Sequence, residues 1–137
     1  MAKTIPENII DGYKPSDRIL ILGLCPSGNN RRRSNGTLSR LQSWMNQSRC
    51  SEWTFHNVIP NVADSTDVSD VDVEQLWNAV KGKEKVVALG GFVSRVCDRF
   101  GIEHHRVDHP SPRNRNLNDP SYEKHMIDRL ANYLHED

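Results

Sequence analysis

The sequence predicts an α/β fold, a three-layer α/β/α sandwich around a central four-stranded parallel sheet. Two observations carry this. Four short strand-like segments alternate along the chain with four stretches whose apolar residues recur every three or four positions. The two clearest runs, Ile19-Leu20-Ile21-Leu22 and Val86-Val87-Ala88-Leu89, are continuous rather than alternating. Continuous apolar strands are covered on both faces, and strands that alternate with helices pair in parallel. The length, 137 residues, suits one domain with one core, so residues 1–137 are read as a single unit.

The elements follow in order. Ser16-Asp17 opens into a strand over Arg18–Gly23, and a loop rich in Gly, Asn and Arg runs from Cys25 to Gly36. Leu38, Leu41, Trp44 and Met45 form one helix face. A second strand, Trp53–Ile59, stops at Pro60, and a polar loop covers Asn61–Asp72. Val73, Leu76, Trp77 and Val80 are a second helix stripe, with Trp77 expected in the core and the helix closing near Gly82. Lys85–Leu89 is the third strand. Gly90-Gly91 turns into a helix carrying Phe92, Val96 and Phe100, ended by Gly101. Ile102–Val107 reads as a fourth, weaker strand and Asp108–Asn118 as a loop. Asp119-Pro120 then starts a helix with Met126, Ile127, Leu130, Tyr133 and Leu134 on its apolar face, since Pro is tolerated at the first helical position.

Composition narrows the function classes. Eighteen basic and eighteen acidic side chains give zero formal charge, so a non-specific nucleic-acid coat is not expected, and any such contact must come from a local cluster. Arg31, Arg32 and Arg33 are one candidate, Arg113 and Arg115 another. No apolar run approaches the roughly 20 residues of a membrane span, and Met1–Pro15 lacks the apolar core of a secretion signal. The three cysteines, Cys25, Cys50 and Cys97, form no C-x-x-C pair; free thiols suit a reducing cytoplasm, and neither a zinc site nor a disulfide framework is expected.

In parallel sheets ligands bind beyond the carboxyl ends of the strands. That rule selects three segments. Gly23-Leu24-Cys25-Pro26-Ser27-Gly28-Asn29-Asn30 leaves the first strand sharply, either as a plain turn or as a backbone nest for an anion. Phe55-His56-Asn57 ends the second strand, where the Asn57 amide either caps the turn before Pro60 or reads a donor–acceptor edge such as O4/N3–H of a pyrimidine. His109-Pro110-Ser111-Pro112-Arg113-Asn114 follows the fourth strand, and its two prolines make it stiff.

The last of these resembles the second signature motif of the uracil-DNA glycosylase superfamily, nearest its single-strand-selective monofunctional branch, whose motif also reads H-P-S-P-R-N. Gly23-Leu24-Cys25-Pro26-Ser27 is similar to the first motif of that superfamily, Phe55-His56-Asn57 to the strand with its base-reading Asn, and Lys85–Gly91 to the strand and turn before the last motif. The resemblance spans roughly Arg18 to Leu134. It implies a uracil-DNA glycosylase-like fold and a monofunctional enzyme that binds single- or double-stranded DNA, extrudes a uracil or modified pyrimidine and hydrolyses its N-glycosidic bond, with no metal or organic cofactor. By motif position, His109 would donate to O2 of the leaving base and Asn57 would read its O4/N3 edge. Leu24, Pro26 and Leu38 would line the base, with Leu38 as the stacking platform because the first-motif loop has no aromatic residue. Ser27, Asn29, Asn30, Arg31, Arg32, Arg33, Ser111, Pro112 and Asn114 would contact DNA, and Arg113 would fill the gap left by the extruded base.

Where the superfamily places a water-positioning Asp or Asn, this chain has Cys25, and a thiol is a poor hydrogen-bond acceptor. Two alternatives follow: a catalytically silent reader of modified bases, and a base-modifying enzyme with Cys25 as nucleophile. Two further clusters read as structural. Adjacent His104 and His105 on a strand point to opposite faces, one inward and one solvated, and do not chelate together. Asp64, Asp67, Asp70 and Asp72 lack the Gly and Glu of a calcium loop and read as solvated.

Overall fold

The computed structural model describes residues 14–24, 36–59, 67–110 and 115–136. Four strands, β1 (Ile19–Gly23), β2 (Thr54–Asn57), β3 (Lys85–Leu89) and β4 (His105–Val107), form one sheet in the order β2-β1-β3-β4, with every pair parallel. Among the described residues four helices flank it: α1 (Gly36–Gln47), α2 (Val73–Val80), α3 (Gly91–Arg99) and α4 (Pro120–His135). The expected α/β architecture is present, with single-turn 3₁₀ segments at Val68–Asp70 and Arg115–Asn118 inside two stretches read as loop.

Two apolar layers explain why the central strands are apolar at every position. Ile19, Ile21, Val87, Leu89 and Val107 face α1 and α4 and pack on Leu41, Trp44, Met45, Ile127 and Leu130. The alternate residues Leu20, Leu22, Val86 and Ala88 face α2 and α3 and pack on Leu76, Val93, Val96 and Cys97. All five residues of β1 are buried, because it is a central strand with helices on both sides.

Capping sets the helix starts. Asp72 accepts from the Gln75 N–H at 3.0 Å, and Asp119 accepts from the Ser121 N–H at 2.9 Å with Pro120 in the first turn. Asp67 caps the 3₁₀ segment, and its own N–H donates reciprocally to Asp70 Oδ2 at 3.0 Å. Asp67 and Asp70 are exposed, as expected of a solvated loop, and Asp67 and Asp72 serve in addition as caps; Asp64 lies outside the described residues.

Three expectations are corrected. Trp77 is 44 % exposed, not core. The eight-residue helix α2 buries Leu76 fully, and the next position lies about 100° further round, on the solvent side. Strand β4 begins at His105 rather than Ile102. Gly101 (φ 71°) reverses the chain after α3, and the Ile102 N–H is spent on the Cys97 carbonyl at 2.8 Å. Strand β2 ends at Asn57 rather than Ile59. Even so, Val58 and Ile59 still donate their N–H groups to the carbonyls of Gly23 and Leu24, each at 2.9 Å, and keep the chain beside β1.

A part-buried polar contact joins α1 to α4. The indole N–H of fully buried Trp44 donates to Glu123 Oε2 at 2.8 Å. Replacing Glu123 with leucine removes the acceptor and strands that donor, at an expected cost of about 1–3 kcal/mol in urea unfolding. Glutamine, which retains an acceptor, is expected to recover most of it.

Candidate base-binding site

The carboxyl ends of all four strands lie on one side, because all are parallel. In the ladder Asn57 is level with Gly23, Leu22 with Ala88, and Leu89 with Val107. Three inter-strand steps therefore separate Asn57 from Val107, about 14 Å across β1 and β3.

Asn57 belongs to the α1/α4 side of the sheet. Phe55, two residues earlier, packs on that layer. Both side chains lie over Gly23: a Cβ there would stand 2.6 Å from Phe55 Cζ and 2.9 Å from Asn57 Oδ1. Gly23 is required because the side chains of β2 fold across β1 and take the space of a Cβ. The Asn57 amide is half-buried, hydrogen-bonds no other described residue, and offers two donors and one acceptor.

His109 lies two residues past β4 and is half-buried. It stands over Gly90, whose Cβ would be 3.4 Å from His109 Cβ. Gly90 has φ 89°, a left-handed conformation that glycine tolerates, and its N–H donates to the Val107 carbonyl at 2.8 Å. The turn between β3 and α3 thus holds the base of the His109 loop. Asp108, just before it, accepts the Tyr122 hydroxyl of α4 on both carboxylate oxygens, at 2.9 and 2.8 Å. That bond to Asp108 raises the Tyr122 pKa, and it ties the loop to the helix layer. Sequence reading treated Asp108 and Gly90-Gly91 as loop and turn only.

Burial lowers the His109 pKa from its ordinary value, so the ring is neutral at pH 7. A neutral imidazole still donates one hydrogen bond. His105 is lowered as well, chiefly by burial and then by Arg129. Between the folded and unfolded pKa values of these groups the unfolded chain binds more protons. Their contribution to stability is therefore complete above about pH 6.5 and is lost as pH falls below it. Urea midpoints are expected to drop between pH 7.5 and 5.5, and the drop is expected to shrink in a His105→Gln, His109→Gln double variant.

Two proposed base-lining residues are corrected. Leu38 is only 2 % exposed and sits in the α1/α4 core, with no face open for stacking. Leu24 packs on the α2/α3 layer, because it follows Gly23 and points to the opposite side of the sheet from Asn57. Cys25, Pro26, Ser27, Asn29, Asn30, Arg31, Arg32, Arg33, Ser111, Pro112, Arg113 and Asn114 lie outside the described residues. Cys50 and Cys97 are free and buried; burial raises the Cys50 pKa and pushes the Cys97 thiol up to about 12, so neither is a nucleophile at neutral pH.

His104 and His105 point apart, as expected, yet each is packed. His104 Nε2 meets Ser94 Oγ of α3 at 2.7 Å, and His105 stacks on Tyr133 of α4 at 4.9 Å, so the expectation that one is solvated is corrected. Among the described residues no group of three or more His, Cys, Asp or Glu is placed to hold a metal ion, and no helix is long and apolar enough to cross a membrane. No protein-family model matches the chain, and comparison with curated proteins finds no match.

Proposed function

We propose that this protein is a DNA glycosylase of the uracil-DNA glycosylase fold, which takes one extruded uracil or modified pyrimidine between Asn57 and His109 and hydrolyses its N-glycosidic bond. The observation that supports this reading is that two such groups both lie at the carboxyl end of one parallel sheet. One is an amide with no hydrogen bond to another described residue; the other is an imidazole kept neutral by burial. The amide reads the O4/N3–H edge. As the bond from C1′ to the base breaks, its electron pair goes to the base, and the negative charge that develops on O2 accepts a hydrogen bond from His109. Water adds to C1′, and its proton leaves with the base. The similarity of His109–Asn114 to the H-P-S-P-R-N motif supports the same assignment.

The test is incubation of the full chain, in excess, with single- and double-stranded oligonucleotides carrying uracil, 5-hydroxymethyluracil and other modified pyrimidines. The expected result is free base and an alkali-labile site from at least one substrate. The absence of both base loss and preferential binding of any modified oligonucleotide would overturn the reading. Cys25, in place of a water-positioning Asp or Asn, favours a second reading, a pocket that binds the base without hydrolysis. Tight binding with no alkali-labile site would select it.

A further inference from the structure

The guanidinium groups of Arg95, in α3, and Arg106, in β4, meet over Gly91. From the point where a Cβ would stand on Gly91, Arg106 Nη2 is 3.2 Å away and Arg95 Nη1 is 3.3 Å away, which puts these two nitrogens no more than 6.5 Å apart. Strand alternation brings Arg106 there. His104 bonds Ser94 on α3 and His105 stacks on α4, so the next side chain returns to the α3 side. Arg95 lies one turn along the helix from Gly91, on the same face.

Neither guanidinium has a carboxylate partner among the described residues. The ion pairs there join Arg18 to Glu84, Lys85 to Glu136 and Lys124 to Asp128. Two positive groups that converge without a counter-charge repel one another, and an anion between them reverses the sign of that interaction. The first turn of α3 has no acidic residue to play this part.

We propose that Arg95 and Arg106, with the open face of Gly91 between them, bind a phosphoryl group. Charge-assisted contacts of about 2.8 Å from each guanidinium to different oxygens of one phosphate span the separation. A side chain larger than hydrogen at position 91 would occupy that ground. Gly90, the preceding residue, is the one that His109 stands over, and consecutive Cα atoms are about 3.8 Å apart. The phosphoryl site therefore adjoins the proposed base pocket, and a backbone phosphate beside the extruded nucleotide is the source this placement favours. Only that choice of source rests on the proposed function; capture of phosphate itself does not. A small phosphate or pyrophosphate presents the same chemistry.

The experiment uses the full chain and two probes. The first is inorganic phosphate, then pyrophosphate, followed through the amide resonances of Gly90, Gly91 and Phe92 against chloride at equal ionic strength. The second is a labelled, unmodified oligonucleotide, single- and double-stranded, with affinity measured as a function of salt. Phosphate is expected to shift those amides, and Arg95→Gln or Arg106→Gln to weaken phosphate binding about tenfold. Each substitution is also expected to reduce the slope of log affinity against log salt by about one for the duplex. Gly91→Ala meets only the ends of two flexible side chains, so it is expected to fold normally and to lose phosphate affinity without any change of charge. Amide shifts that vanish in these variants with an unchanged DNA slope would assign the site to a small phosphorylated ligand, and a reduced slope assigns it to the DNA backbone. Unshifted amides together with wild-type slopes in both arginine variants would overturn the proposal. A chain that releases no base yet shows these shifts refutes the glycosylase reading and leaves the phosphoryl site standing.

Discussion

Gly23→Ala is expected to destabilise the protein by about 1–3 kcal/mol and to weaken binding of a target base at least tenfold. The cause is steric. The new methyl carbon would lie 2.6 Å from Phe55 Cζ, 3.0 Å from Phe55 Cε1 and 2.9 Å from Asn57 Oδ1, closer than non-bonded carbons approach. Phe55 packs on the α1/α4 core and Val58 is hydrogen-bonded to Gly23 itself, so β2 has little freedom to retreat. The displacement therefore falls on the ring and on the Asn57 amide together. Asn57→Ala separates the two consequences: it is expected to lose base affinity while the urea midpoint stays within about 0.5 kcal/mol of wild type, as for a partly exposed polar truncation. In the double variant the affinity losses should not add, since both act through one amide. An alanine at position 23 with unchanged midpoint and unchanged affinity would show that the close packing of β2 on β1 does not position Asn57.

The sheet was legible where its strands are central. Ile19–Leu22 and Val86–Ala88 are apolar at successive positions because both faces are buried, and their shortness and the turn formers that bound them mark a buried strand rather than a buried helix. The edge strand β4 was less so, since three residues with one helix layer on each side leave too few buried positions to mark its start. Trp77 misled for a related reason. A stripe of four apolar residues on an eight-residue helix is wider than the face that helix can bury, and its largest member was left outside. The positions of Asn57 and His109 at or just past strand ends were legible, because a strand's end is a place the sequence itself marks. Leu24 and Leu38 were not, because their apolar side chains suit a binding wall and a core equally well, and only the packing distinguishes the two. Arg95 and Arg106 carry no sequence signal. Their meeting depends on how α3 lies on β4 and on glycine at position 91, which reads as a turn residue until its neighbours are known.

On the proposed reaction, His109→Ala is expected to slow base release by about 10²–10³-fold with little change in KM, the loss that follows when one preorganised donor to a developing oxyanion is removed. Its effect belongs to kcat because O2 of the base carries its negative charge only as the bond to C1′ breaks. Asparagine at position 109 retains an N–H donor and is expected to restore part of the rate, whereas leucine, which fills the space without donating, is expected to restore none. The protonation state gives an independent readout. Burial lowers the His109 pKa, so the neutral ring is the species present at and above pH 7. A reaction assisted by neutral imidazole keeps a constant kcat from about pH 7 to 8, whereas one that needs imidazolium falls about tenfold for each pH unit above the pKa. The flat profile is the expected one. Like the neutral histidine electrophile known from isomerase chemistry, such a donor stabilises charge without first having to bind a proton from solvent. A steep decline of kcat across this range would show that imidazolium rather than the neutral ring is the donor, and an alanine variant as fast as wild type would remove His109 from the reaction and leave Asn57 as a reader with no partner in catalysis.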